Sequence, residues 1–368
     1  MRQKGRRDMA SELSNISTAV DLFSGGGGLT VGLKNAGFSV VSAVELEPNA
    51  FNTYKINHPE VSVFNKDIKT ISGDKFLEAS PTGMVDLVAG CPPCQGFSSL
   101  TSKYRRFDPR NELIFEMYRV IEQLKPKIIM MENVPGLAQK GKELFEEFLR
   151  RISELGYMYE WRVLQVADYG VPQTRRRLVL LAGKGFHIPF PEPTHSRTGE
   201  NDLPLWRTLR DAISDMPEPV TLSQTKKLGG PKNAKWHVVR DMSAQNIKRL
   251  KKAIPGESWR KIPKKLRPDC HKDIEAGFPN VYGRLSWDKP SGTITGGCTT
   301  LSKGRFGHPE ELRTISVREA ALLQTFPPDY IIDTDYMEKA CMIVGNALPC
   351  TFAEVLARRC FEALRQNE

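Results

Sequence analysis

The sequence predicts an α/β protein. Its first part is a mainly parallel sheet with helices on both faces and one antiparallel edge, and a smaller, irregular domain follows. Three observations carry this. Strand and helix signals alternate through the first half of the chain, the pattern of a parallel sheet with crossover helices. Two strand signals, at 157–166 and 177–182, follow one another with no helix between them, so that edge runs antiparallel. Beyond Gly183 the alternation stops, and prolines and a basic block replace periodic segments.

Each element has a local reason. Residues 18–23 form a short apolar strand, 25–28 a glycine turn, and 29–36 a helix that Gly37 stops. A second strand at 39–46 precedes a helix at 48–57 with Pro48 in its first turn. The third strand, 61–64, runs on to Asp67, and the fourth is 85–89. A helix at 112–124 leads through Pro126 to the fifth strand, 127–132. A helix at 142–154 ends near Gly156, before the two antiparallel strands. Helical periodicity returns at 316–325 and again at 349–364. The closing helix is too apolar on one face to stand alone, so it returns to pack on the first domain's sheet.

These signals divide the 368 residues into a disordered tail (1–15), a catalytic and cofactor-binding domain (16–189), an irregular domain (190–314), a hinge (315–335) and returning C-terminal helices (336–368). The longest apolar runs, near 128–131 and 178–182, fall far short of the roughly 18 residues of a membrane helix, so no membrane is expected. The basic start has no apolar stretch behind it and does not read as a secretory signal. Seven cysteines without regular spacing argue against a disulfide framework and for a reducing cytoplasm. Residues 223–275 hold fifteen Lys/Arg against five Asp/Glu, so this block carries the whole net charge of +10 and the remainder balances at 38 against 38. Such a block is either a solvated face or a polyanion-binding surface.

Candidate chemistry sits at the strand ends. The run Asp21-Leu22-Phe23-Ser24 followed by Gly25–Gly28 lies between a strand and a helix, where glycines let a backbone approach a ligand closely. Glu45, about 20 residues on, suits a ribose diol, and Asp67 an adenine amino group. The glycine spacing is neither a dinucleotide fingerprint nor a P-loop, so an adenosine cofactor without phosphate fits. After the fourth strand comes Gly90-Cys91-Pro92-Pro93-Cys94-Gln95-Gly96, for which three readings compete. A redox pair would open a helix, but Gly96 and a polar loop follow. A zinc site needs a second pair, and Cys270-His271 is too tight to supply it. A nucleophilic Cys94 needs help to reach its thiolate, because a free thiol titrates near about 8.5. Met131-Glu132-Asn133 ends the fifth strand with a carboxylate. In Gln173-Thr174-Arg175-Arg176-Arg177, strand alternation sends Arg175 and Arg177 to one face, which suits an anionic substrate. Asn346, in Gly345-Asn346-Ala347-Leu348-Pro349, lies just before the final helix.

Together these motifs resemble the DNA cytosine-5-methyltransferase family across almost the whole chain. The matches are DLFSGGGGL at 21–29, VELEPNA around Glu45, PCQGFS at 93–98, ENV at 132–134, QTRRR at 173–177, RLSWDKPSGTIT at 284–295 and GNALP at 345–349. The last departs from the usual GNSxP but keeps Asn346. The resemblance implies a Rossmann-like, S-adenosylmethionine-dependent methyltransferase with a mixed sheet and a target-recognition domain around the basic block. It implies that Cys94 attacks carbon 6 of a flipped-out cytosine in duplex DNA, making carbon 5 nucleophilic. Glu132 then engages ring nitrogen 3, and Arg175, supported by Arg177, stabilises the ring carbonyl. The cofactor, which leaves as S-adenosylhomocysteine, is held by Phe23, Gly25, Gly28, Leu29, Glu45, Leu46, Asp67, Ile68, Pro93, Leu113 and Asn346. No metal is required.

The compact chain fits a monomeric bacterial modification enzyme acting on the nucleoid in the cytoplasm, with a cognate restriction endonuclease as genetic partner. An RNA cytosine methyltransferase of the same fold would prefer tRNA to duplex DNA, and the long basic insert argues against it. A catalytically inactive DNA-binding protein would not keep Cys94, Glu132, Arg175 and Arg177 together. A nicotinamide-linked oxidoreductase explains the glycine turn alone.

Overall fold

The computed structural model describes residues 16–93, 109–272 and 279–367. In chain order its main elements are β1 (Thr18–Leu22), α1 (Gly28–Asn35), β2 (Ser39–Val44), α2 (Pro48–Asn57), β3 (Ser62–Phe64), α3 (Gly73–Leu77), β4 (Leu87–Gly90), α4 (Leu113–Leu124), β5 (Ile128–Asn133), α5 (Lys142–Glu154), β6 (Tyr157–Gln165) and β7 (Arg176–Lys184). Then come β8 (Val220–Thr221), β9 (Val238–Val239), α6 (Ala244–Lys252), α7 (Val317–Leu323), α8 (Met337–Asn346) and α9 (Cys350–Gln366). The chain forms two compact units. The first is drawn from Met1–Gln165, Arg176–Glu192 and Cys350–Glu368, and the second from Val166–Arg175 and Pro193–Pro349.

The first unit is a seven-stranded sheet in the order β3-β2-β1-β4-β5-β7-β6. Strands β1 to β5 pair in parallel, and β7 is antiparallel to both β5 and β6. The central parallel strands β1, β4 and β5 are buried throughout, which is why β5 opens with the unbroken apolar run Ile128-Ile129-Met130-Met131. One face packs on α3, α4 and α5. Helix α4 turns Ile114, Met117, Val120 and Ile121 inward, and α5 turns Phe145, Phe148, Leu149 and Ile152 inward, each at helical spacing. The other face carries α1 and the closing helix α9, which packs on both α1 and β5. Here Gly32 has no room for a side chain: a Cβ would lie 2.5 Å from both Ala353 Cβ and Glu354 N. Between β1 and β4 the strand order reverses, so both turns at their C-terminal ends open at the position where such sheets bind ligands.

The second unit is poor in regular structure. Its only sheet among the described residues is the parallel pair β8–β9. It takes in Val166–Arg175 for a local reason. Gln173, fully buried, donates from Nε2 to Gln324 Oε1 (2.8 Å) and accepts from Ile294 N (2.9 Å), and Thr174 N donates to Ser291 O (2.8 Å). In the basic block, Trp259, Ile262, Ala253 and Val281 make a small core of their own. Lys248, Lys251, Lys252, Lys261, Lys264 and Lys265 are exposed around it, and none forms an ion pair among the described residues. The short basic helix α6 and the helix α8 are both additional to the helices expected from periodicity.

One stretch, Met337–Gln366, is long and apolar enough to cross a membrane, contrary to the expectation drawn from short apolar runs. Two-thirds of its most apolar window is buried inside the fold, and the chain breaks it into α8 and α9 at Ala347-Leu348-Pro349. Core helices of this kind satisfy the length criterion because burial selects the same side chains as lipid does.

Candidate active site

The glycine turn after β1 is shaped for close approach. Gly25 and Gly27 have φ of 56° and 93°, the left-handed region that glycine occupies without strain. Phe23 adopts φ 59°, a costly conformation for a side chain of its size and one that concentrates at functional sites. A Cβ built on Gly25 meets nothing within 4 Å among the described residues. Gly28 and Leu29 are buried at the start of α1. Glu45 follows β2 directly, and its carboxylate accepts from Gly25 N (2.8 Å) and Glu47 N (2.7 Å). Burial raises its pKa. Leu46 beside it is 62% exposed, an apolar surface at the rim. Asp67 does not close β3, which ends at Phe64. It begins a helical turn at Ile68–Thr70, where its carboxylate accepts from Lys69 N at 3.0 Å. Ile68 is buried, whereas Pro93 and Leu113 are half-buried, Leu113 at the first turn of α4. A glycine turn, a carboxylate 20 residues on and an apolar rim together fit an adenosine-bearing cofactor.

The ends of β4, β5 and β7 bring a second set together. Glu132, 8% exposed, accepts from Arg177 Nε at 2.5 Å. Asn133 Nδ2 donates to Pro92 O at 3.0 Å, tying the turn after β4 to the end of β5. Cys91 is half-buried just beyond β4; desolvation first, then the charges of Glu132 and Asp21, push its thiol pKa well up. Burial lowers the pKa of Arg177, and the Glu132 charge opposes that shift. Cys94 lies outside the described residues.

The two arginines expected to share a face are engaged separately. Arg177 belongs to the first unit and pairs with Glu132. Arg175 belongs to the second, is 4% exposed, and donates from Nη1 to Ile294 O (3.0 Å) and Gly345 O (3.3 Å). Both are thus anchored by protein groups, and Arg176, between them, is exposed. Gly345 makes the arrangement in the second unit possible, since a Cβ there would lie 2.1 Å from Thr295 C. Asn346 ends α8 and is exposed.

Sequence reasoning missed Asp21 as a titrating group. It is fully buried; Oδ2 accepts from Thr30 Oγ1 at 2.7 Å, and Oδ1 has no partner among the described residues. The available signal was an acid inside an apolar strand. Burial raises its pKa to about 7, against the bond from Thr30 and with help from Glu45. The folded protein thus keeps a proton that the unfolded chain releases near pH 4, so stability falls as pH rises from about 4 to 7. Asp21→Asn removes this slope. Urea denaturation at pH 5 and pH 8 should show the variant gaining on the parent by about 1–3 kcal/mol at the higher pH. An equal difference at both values would contradict the assignment.

A family model of C-5 cytosine-specific DNA methylases matches residues 17–362. The chain is 36% identical over 363 residues to the type II methylase M.HgiDII of Herpetosiphon aurantiacus, covering 96% of this chain and 98% of that one. It is 36% identical over 350 residues to the type II methyltransferase M1.HphI of Haemophilus parahaemolyticus, covering 92% and 85% respectively. Among solved structures, a candidate DNA modification methyltransferase encoded within an E. coli prophage superposes with a TM-score of 0.72 at 22% identity, over 95% of this chain and 99% of that one, a likeness of fold. With a family match over nearly its full length and relatives this similar end to end, the chain belongs to the C-5 cytosine-specific DNA methylase family and is a DNA (cytosine-5)-methyltransferase.

Proposed function

We propose that the protein methylates carbon 5 of a cytosine flipped out of a specific duplex DNA sequence, using S-adenosylmethionine and a covalent Cys94 adduct, and that this protects DNA from a cognate restriction endonuclease. The observation that carries the reading is the buried Glu132–Arg177 pair at the ligand-binding edge of the sheet, tied through Asn133 and Pro92 to the turn that leads into Pro93-Cys94.

Carbon 5 of cytosine is a poor nucleophile. Addition of the Cys94 thiolate to carbon 6 turns the ring into an enamine-like species whose carbon 5 attacks a methyl donor. Glu132 brings a proton to ring nitrogen 3, by hydrogen bond or by transfer, which neutralises the negative charge this addition puts on the ring, and Arg177 holds the carboxyl group in place. Arg175 takes the ring carbonyl by its place in the QTRRR motif. Phe23, Gly25, Gly28, Leu29, Glu45, Leu46, Asp67, Ile68, Pro93, Leu113 and Asn346 hold the cofactor, with Glu45 directed to the ribose and Asp67 to the adenine. When bound, S-adenosylmethionine supplies its sulfonium methyl group. Loss of the carbon-5 proton then expels the Cys94 sulfur. Extruding the base costs a few kcal/mol. Phosphate contacts from the exposed lysines of the basic block, within a target-recognition region at 190–314, offset that cost. The enzyme acts as a monomer in the bacterial cytoplasm.

Bisulfite sequencing of DNA from cells expressing the protein tests the reading. One cytosine should be protected at every copy of a single short sequence, and complete conversion would refute it. Cofactor placement has its own check. Glu45→Ala should weaken S-adenosylmethionine binding about tenfold or more in calorimetry, from loss of charge-assisted hydrogen bonds. An unchanged dissociation constant would remove Glu45 from the site.

A further inference from the structure

The mechanism above gives Cys91 no task, yet the sheet places it beside the group on which the mechanism depends. Strands β4 and β5 pair in parallel from Leu87↔Ile128 to Gly90↔Met131, so Cys91 and Glu132 are the next residues on adjacent strands. Neighbouring strands lie about 4.8 Å apart, and paired positions share a face. On the other side Glu132 pairs with Val179 of β7, and Arg177, two residues back along β7, lies on the same face. Met131 and Leu178, one step out of phase, point into the core on the opposite face. Three strands thus deliver a thiol, a carboxylate and a guanidinium to one patch. The turn bearing Cys91 is fixed there: Cys91 N donates to Leu22 O (3.4 Å), and Pro92 O accepts from Asn133 Nδ2 (3.0 Å).

We propose that Cys91 is a positioning residue for Glu132, its thiol donating a hydrogen bond that clamps the carboxylate from the β4 side while Arg177 clamps it from the β7 side. The inference rests on the role given to Glu132 above. A thiol is a weak donor, but here it has a fixed, charged acceptor. Burial and the nearby acids keep its proton on, so Cys91 donates and does not compete with Cys94 as a nucleophile. A carboxylate held from two sides has little freedom to rotate, and a base arriving at the sheet edge meets it already oriented.

The test compares the full-length protein with Cys91→Ala, Cys91→Ser and Glu132→Gln. Single-turnover methyl transfer to duplex DNA is measured with radiolabelled S-adenosylmethionine, and DNA and cofactor affinities are measured separately. Cys91→Ala should slow transfer about three- to tenfold with both affinities unchanged, and Cys91→Ser, which restores a donor, should recover most of the rate. A Cys91→Ala rate equal to wild type, or an equal loss in the Ala and Ser variants, would overturn the proposal. The S–H stretching band of Cys91, isolated as the difference between wild type and Cys91→Ser, supplies a readout independent of turnover. It should move to higher frequency in Glu132→Gln, where the acceptor is weaker, and an unmoved band would overturn the contact. A Glu132→Gln enzyme with wild-type rate would instead remove Glu132 from the mechanism, which the band shift distinguishes from a failure of the thiol contact.

Discussion

Cys94→Ser binds S-adenosylmethionine and duplex DNA with near wild-type affinity and transfers methyl groups at least about a thousandfold more slowly. The expectation follows from the chemistry of the attacking atom. A cysteine is partly ionised near neutral pH and its thiolate is strongly nucleophilic, whereas a serine hydroxyl without a dedicated base is neither. Addition to carbon 6 precedes any nucleophilicity at carbon 5, so loss of the first step removes the second. Cofactor and phosphate contacts come from other residues, so binding persists and the defect falls on the rate constant. Rapid-quench single turnovers alongside fluorescence anisotropy separate the two. A serine variant within tenfold of wild type would show that the thiol is not the nucleophile.

Arg177→Met carries the second large effect, on stability as well as rate. Arg177 Nε lies 2.5 Å from Glu132 Oε1, with side-chain exposures of 13% and 10%. Removing the cation leaves a carboxylate buried at the sheet edge without its charged partner, which costs about 3–5 kcal/mol. Methyl transfer should fall about a hundredfold, because the carboxylate must face the ring and loses the group that orients it. Adding Glu132→Gln to Arg177→Met should return part of the stability, since no buried charge remains, but none of the activity. Urea denaturation of the two variants reads this directly. An Arg177→Met protein as stable as its parent would mean that the pair is solvated and not structural.

Much of the fold was legible because strands buried on both sides write themselves as apolar runs, and turns as glycines. Glu132 and Arg177 were visible as charges ending or entering such runs. Other features depend on pairings far apart in sequence. The nearness of Cys91 to Glu132 follows from the β4–β5 register, which pairs the residues just before them, Gly90 and Met131, across a separation no local pattern reports. The backbone anchors of Arg175, the carbonyls of Ile294 and Gly345, could not be read locally because they lie far along the chain. Helix α6 escaped notice because its nine residues bury only Leu250, so lysines mask the period. Helix α8 escaped it because Tyr336 before it makes no side-chain cap and Gly345 falls inside it. Asp67 was placed at a strand end because Asn65-Lys66 contains neither glycine nor proline to mark a stop, and the turn is set by the Asp67 carboxylate itself accepting from Lys69 N.

Duplex DNA carrying 5-fluorocytosine at the target position tests the covalent step most directly. Fluorine replaces the carbon-5 hydrogen, so no proton can be lost there to supply the electron pair that expels the sulfur once the methyl group has been delivered. The account predicts a denaturation-resistant protein–DNA complex that forms only with S-adenosylmethionine present, and peptide mass mapping that places the methylated base on Cys94. No complex, or an adduct carried by Cys91, would contradict it.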